Sequence, residues 1–459
     1  MIVYILSLLL ALSLYSQAPS VMDKPFMLGC LVLAITNSVL FVYKTNNQKK
    51  YNLHGLYIRH SIIFMICFFI VFFQKDFDYV LGIIDSSNNL LWYDSTVVCK
   101  SAALSLCALL SFYLGYELSK KTFHISNSTY TYSFKMKEVL VYVGYVSLII
   151  YLIFVPKSYL LGGYNAGENK GWANVILVLL QALFLALFAI YSYDYKHAVT
   201  KISFWKFYKK PIILVLIYSF IILVSGRRTE AIRMFILLIV IYAYAKGRTA
   251  NYKAMGVVMV SLALVMSILS FLRTGKARSF SQGVEMVSES KSFLPVTDEL
   301  ASSVNTLHIA VSNFPDILPY TKGLTFFPNF LVLVPGLDQY YQNNIRGNGV
   351  ITSSAEMITY IQFGDNASYG LGSSLVADAY IPFGLVGVLI IFMIFGGFIH
   401  YLEVGTFYLL KSPYFLVTSF CCCSQFMFAC RGSFANLFLS WSYATLIVFF
   451  ISSRHKYAK

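Results

Sequence analysis

"IILVLIYSFIILVSGRRTEAIRMF" runs from Ile212 to Phe235. Between Ile212 and Leu223 only Tyr218 and Ser219 are polar, so this stretch reads as a membrane helix. The run that begins near Thr229 reads the same way. Between them stand Arg227 and Arg228, with Arg233 close behind. Arginine at a bilayer boundary is costly unless it reaches water or holds a partner. The stretch therefore declares a membrane fold and asks what its arginines hold.

The rest of the chain repeats the pattern. Of 459 residues, 58% are hydrophobic and only 12% charged, where soluble domains carry about a quarter charged residues. Apolar runs long enough to span a bilayer recur throughout. The fold class is an all-α polytopic membrane protein of about twelve spans. They are expected near 2–17, 26–43, 56–73, 96–116, 138–155, 172–192, 211–226, 229–246, 254–272, 372–400, 414–430 and 434–452. Met1 to Tyr15 lacks a basic n-region and is expected to be the first span, not a cleaved signal. The eight cysteines lie in or beside apolar runs without zinc spacing, so no disulfide or metal site is expected of them.

Three segments result: spans one to nine in 1–272, a large loop at 273–371, and spans ten to twelve in 372–459. A loop of that length is usually functional or a small domain. The positive-inside rule sets the orientation. With the N-terminus in the cytoplasm, the inner segments hold 17 lysines and 3 arginines. The outer ones hold 8 lysines and 7 arginines: Arg227, Arg228, Arg233, Arg273, Arg278, Arg346 and Arg431. An even number of spans puts both termini inside and the large loop outside. Topology accounts for the inner lysines but not for the outer arginines. Guanidinium is the group for a two-pronged grip on phosphate or carboxylate, although a boundary arginine also snorkels to lipid headgroups. The outer face reads as built to hold an anion at the membrane surface.

Within the loop, "PVTDELASSVNTLHIAVSNFP" (Pro295–Pro315) reads as one amphipathic helix lying on the membrane. Thr297 is its expected N-cap, and Leu300, Val304, Leu307 and Val311 form its apolar stripe. Glu299 suits a general base and equally a helix-dipole partner. His308, beside Val304 and Val311, is expected to be packed, with a base or acceptor contact as the alternative. Asp378 is expected about 9 Å inside the tenth span at 1.5 Å per residue, paired with an arginine. Pro382 and Gly384 are able to open that helix. Asp76 and Asp78 in "DFD" are expected in a surface turn; the alternative is a divalent-metal site. No P-loop, G-x-S-x-G or H-E-x-x-H occurs.

Taken together, these features resemble the Wzy-type oligosaccharide repeat-unit polymerases, which make bacterial O-antigen and related polysaccharides. The likeness is clearest from Val224 to Asn436. "SGRRTEAI" resembles the family's Gly/Arg-rich helix junction. "FLRTG" (Phe271–Gly275) resembles the arginine that opens its large periplasmic loop. "DELASSVNTLHIAVSNFPDILPYTKGLTFFPNFLVLVPG" resembles the order of that loop, through Gly323 to a Pro-Gly end. "GLGSSLVADAYIPFGLVGV" resembles the entry to the next span, and "CRGSF" (Cys430–Phe434) the arginine between the last two.

The resemblance implies a GT-C-like membrane glycosyltransferase. It would move a growing chain from undecaprenyl pyrophosphate onto a new lipid-linked unit at the periplasmic face of the inner membrane. The expected pyrophosphate ligands are Arg228, Arg273 and Arg431, with Arg227, Arg278 and Arg346 as further contacts. Fixed cations stabilise a departing anion. Glu299 and Asp378 are the candidate bases. Tyr320, Tyr340, Tyr341 and Tyr369 suit stacking on sugars or a place in the interfacial aromatic belt. No metal, cofactor or nucleic acid is expected. A flippase and a chain-length regulator of the same pathway are the expected partners.

Three rival readings remain. An O-antigen ligase would take lipid A core as acceptor and use His308. A polyprenyl-phosphate-sugar glycosyltransferase would use a metal at Asp76 and Asp78. A flippase would want similar halves, whereas one large loop breaks the symmetry here.

Overall fold

The computed structural model describes residues 1–46, 59–85, 93–122, 130–134, 136–156, 172–198, 203–225, 228–247, 251–273, 279–289, 291–334, 336–345, 351–367, 369–408 and 412–456. Some side chains in these stretches, among them those of Arg228 and Arg273, lie outside the description.

The apolar runs fold as helices. In chain order they are α1 (Ile2–Ser16), α2 (Lys24–Asn46), α3 (His60–Phe72), α4 (Gln74–Val80), α5 (Val98–Thr122) and α6 (Lys137–Phe154). Then come α7 (Trp172–His197), α8 (Phe204–Val224), α9 (Arg228–Lys246), α10 (Tyr252–Arg273) and α11 (Phe280–Ser288). The last five are α12 (Asn305–Asn313), α13 (Ser354–Phe363), α14 (Leu375–Tyr408), α15 (Pro413–Cys430) and α16 (Trp441–Ile451). Among the described residues, seven helices are long and apolar enough to cross a membrane. The pair α3–α4, bent by 53°, makes up to eight. Every other expected span position also carries a helix.

The centre of the bundle is the crossing of α5 and α14. Lipid tails are as apolar as leucine side chains, so close backbone packing has to drive association. Gly115 and Gly396 provide it. A Cβ at Gly115 would overlap the Met393 carbonyl, and one at Gly396 the Phe112 carbonyl. Around this crossing Phe64, Phe112 and Phe395 interlock, with centroids 4.7 to 5.7 Å apart.

The bundle has two polar ends. At one, the strands Tyr130–Ser133 and Ser453–Lys456 pair antiparallel, with Tyr130 opposite Lys456. This end also buries an ionic cluster. The Glu403 carboxylate accepts hydrogen bonds from Tyr116 and from Ser61 (3.0 Å) and lies 3.9 Å from Arg59 Nε. Arg59 in turn donates to Thr45 Oγ1 at 2.9 Å. Such a network is poor evidence of stability but punishes loss of either partner. The chain enters α3 at this end and leaves it at the other, where the large loop is docked.

Candidate functional site: the loop-covered end

Helix α4 fastens the start of the large loop. Gln74 Nε2 donates to Ser292 Oγ (3.0 Å) and to the Leu294 carbonyl (2.9 Å). Thr297 Oγ1 donates to Gln74 Oε1 at 2.6 Å. Lys75 pairs with Asp298 at 2.5 Å. The Asp78 carboxylate accepts from Ser292 Oγ and from the Phe293 N–H, both at 2.7 Å. The "DFD" motif is therefore not a surface turn. Asp76 and Asp78 are buried on a helix. No group of three or more His, Cys, Asp or Glu that could hold a metal occurs among the described residues. A fully buried carboxylate that accepts two hydrogen bonds is a docking post.

The segment 295–315 is not one amphipathic helix. It breaks into a 3-10 turn at Pro295–Thr297, a helical turn at Asp298–Ala301, a second 3-10 turn at Ser302–Val304, and α12. Thr297 makes no side-chain cap; its hydroxyl points to Gln74, to which it donates. Nor does α12 lie on a surface: it is buried on nearly every side, against α5, α13 and α14. His308 is packed there at 1% exposure. Burial pushes its imidazole down to about 4, partly opposed by the Asp94 carboxylate. Burial lifts Asp94, but hydrogen bonds from Thr96 and Ser312 outweigh it and hold the carboxyl below its ordinary value. Glu299 is exposed on the helical turn beside the Lys75–Asp298 pair.

Beyond α12 the loop plugs a break in α14. Pro382 has no N–H to give, and Gly384 turns out of the helix at φ +63° and ψ −155°. Carbonyls freed by such a break need new donors. The Thr321 N–H reaches the Ile381 carbonyl (3.2 Å), and the Lys322 N–H reaches that of Pro382 (3.1 Å). Tyr320 wedges into the space a Cβ at Gly384 would fill, 2.7 Å from its position. Its ring lies parallel to Phe314 and edge-on to Tyr380, so it packs inside the protein. Tyr340 and Tyr369 are exposed.

Asp378 stands on the loop side of the break, 1% exposed. Its partners among the described residues are a serine and a backbone N–H. Oδ1 accepts from Ser354 Oγ on α13 at 2.6 Å, and Oδ2 from the Phe434 N–H at 3.1 Å. Three residues before Phe434, Arg431 caps the end of α15, partly exposed.

Of the other arginines, Arg228 opens α9 and Arg273 ends α10. Arg227, Arg278 and Arg346 lie outside the described residues. Arg233 is buried within α9, and its Nε meets no acceptor among the described residues. It is one of the outer arginines of the sequence but was not among the expected site residues. A cation one and a half turns inside an apolar helix was the signal. Helices α9 and α15 pack together, with Tyr244 edge-on to Phe420 at 5.6 Å. Arg233 and Arg431 each stand eleven residues from that contact, toward the loop-covered end. That is about 16 Å along either helix at 1.5 Å per residue. The Arg233 guanidinium has Glu230, Cys421 and Tyr218 within electrostatic reach, whereas Arg431 stands on the partly exposed turn beyond α15.

Comparison with known proteins identifies a family. The family model described as O-antigen polysaccharide polymerase Wzy matches residues 1–456. No curated protein and no solved structure matches the chain. With the match running through every helix and the large loop, the chain belongs to the Wzy family of O-antigen polysaccharide polymerases.

Proposed function

We propose that this protein joins undecaprenyl-pyrophosphate-linked repeat units, with arginines at its loop-covered end as the electrophilic site. Membership in the family means O-antigen repeat-unit polymerisation by a glycosyltransferase-type enzyme of the bacterial inner membrane. The finer reading concerns how. The bond broken is sugar C1–O to pyrophosphate. The acceptor hydroxyl of the incoming lipid-linked unit forms the new bond and gives up its proton, and the leaving group is lipid pyrophosphate. Fixed guanidinium groups stabilise that departing charge best where water is partly excluded. Arg431, Arg228 and Arg273 are the proposed pyrophosphate ligands, with Arg233 as a further cation deeper within α9. Arg227, Arg278 and Arg346 are proposed as further contacts. Glu299, exposed at the same end, is the proposed general base.

The observation that supports this reading is the place of Arg431, partly exposed on the turn after α15 at the end where the large loop is docked. The loop-covered end is read as periplasmic, both termini as cytoplasmic, and the architecture as GT-C-like. Catalysis is read as needing no metal or nucleotide. The ligase reading loses support, because its candidate histidine, His308, is buried.

The test uses purified protein with undecaprenyl-pyrophosphate-linked repeat units of its host, resolved on gels with and without EDTA. Wild type should give a ladder in both conditions. Arg431→Ala should lose about a hundredfold or more in rate, the usual cost of removing one charge-stabilising donor. Arg431→Lys should restore little, because a point charge does not replace a planar fork. A normal ladder from Arg431→Ala would reject the site and keep the function. Transfer only after addition of lipid A core would mean a ligase.

A further inference from the structure

We infer that Asp378 is a positioning residue for Arg431, tying the arginine turn to the large loop. The inference rests on the reading of Arg431 as a pyrophosphate ligand. A general base must come within hydrogen-bonding reach of the acceptor hydroxyl, which a buried carboxylate does not. Asp378 is 1% exposed, and each oxygen already holds a buried donor, Ser354 Oγ at 2.6 Å and the Phe434 N–H at 3.1 Å.

Each donor marks a strategic place. Ser354 is the first residue of α13. The Ser353 hydroxyl accepts from the Glu356 N–H (3.1 Å), and Glu356 reaches back to the Thr352 N–H (3.0 Å). That reciprocal cap secures the helix start and leaves the Ser354 hydroxyl for Asp378. Phe434 opens the 3-10 turn that follows Arg431. Between them Gly432 is hemmed in: an added Cβ would overlap the Asn436 side chain and come within 2.9 Å of the Phe428 carbonyl. The Gly432 N–H is also bonded to the Ala429 carbonyl at 3.0 Å. The turn carrying Arg431 is held on one side by α15 and on the other at Phe434. One carboxylate thus joins α14, the loop helix α13 and the arginine turn, so displacing the loop shifts Arg431.

The experiment compares Asp378→Asn, Ser354→Ala and Arg431→Ala. It measures binding of undecaprenyl pyrophosphate in detergent, elongation kinetics with lipid-linked repeat units, and the pH profile of elongation. Asparagine keeps the shape but only one acceptor oxygen. Asp378→Asn should weaken undecaprenyl pyrophosphate binding and raise KM about tenfold, the scale of one charge-assisted hydrogen bond. It should leave the pH profile in place. Ser354→Ala should show the same signature at smaller size, and the double variant should add nothing to Asp378→Asn. Unchanged binding with turnover lost by a thousandfold, and a pH limb missing in Asp378→Asn alone, would make Asp378 the base and overturn the inference. Reduced thermal stability with unchanged KM and binding in both variants would overturn it too. Unimpaired binding by Arg431→Ala would instead remove the arginine reading on which it rests.

Discussion

Gly384→Ala is the sharpest test of how the large loop sits on the bundle. Two costs add. The backbone at φ +63° and ψ −155° lies in a region that only glycine enters readily, so alanine costs about 1–3 kcal/mol there. The new Cβ would also stand 2.7 Å from Tyr320 Cζ and 2.8 Å from its hydroxyl oxygen. Tyr320 has little freedom to retreat. Its ring stacks 6.4 Å from Phe314 and meets Tyr380 edge-on at 5.8 Å. Giving up such contacts costs about 0.5–1.5 kcal/mol each. Any retreat also pulls on the bonds from Thr321 and Lys322 to the broken helix. The sum is about 2–6 kcal/mol, large enough to dislodge the loop. The assay is the temperature at which detergent-solubilised protein loses its monodisperse elution peak, together with ladder formation. Gly384→Ala should melt several degrees lower and elongate poorly. Tyr320→Ala/Gly384→Ala should be less damaged than the sum of the single variants, because shortening Tyr320 removes the collision but not the backbone cost. A Gly384→Ala protein that melts with wild type would refute the reasoning. Strict additivity in the double variant would show that Tyr320 is not the obstacle.

Further outcomes follow from the same contacts. Asp78→Ala leaves the Ser292 hydroxyl and the Phe293 N–H without their acceptor; a loss of about 1.5–3 kcal/mol is expected, read as faster protease cleavage within 279–298. Lys75→Ala should do less, because Asp298 is partly exposed and the pair is screened by water and salt. The difference between these two variants should shrink in the absence of salt. His308 is held neutral by burial, with its folded value near 4 against about 6.5 when unfolded. The unfolded chain therefore binds the extra proton first: the stabilisation is complete above about pH 6.5 and is lost as pH falls toward 4. Hydrogen exchange in 305–313 should speed up over that window, and His308→Gln should flatten the change. Gly396→Leu should prevent the α5–α14 crossing and abolish monodisperse expression, whereas Gly256→Leu, with open space around it, should be tolerated.

The amino-acid sequence alone determined what depends on local composition. Runs of apolar residues can satisfy their backbone polar groups in lipid only as helices, so class and helix positions were readable in stretches such as Ile212–Leu223. Pro382 and Gly384 announced a break for the same local reason. Arginine on one set of boundaries and lysine on the other was likewise visible without a fold. Tertiary structure decided everything that needed a distant partner. Asp78 looked like a turn residue until its carboxylate met Ser292 and Phe293, more than 200 positions away. The periodicity of 295–315 described a surface helix, but α5, α13 and α14 close around α12 and leave no face for solvent. Asp378 was legible as a buried carboxylate, but not its partners. Serine and a backbone N–H carry no charge pattern to read, and only the packing of α13 and the Arg431 turn against α14 brings them within hydrogen-bonding distance. Periodicity records which side of a helix is apolar; which chain segment covers that side is settled by long-range packing and by the need to pair every buried polar group.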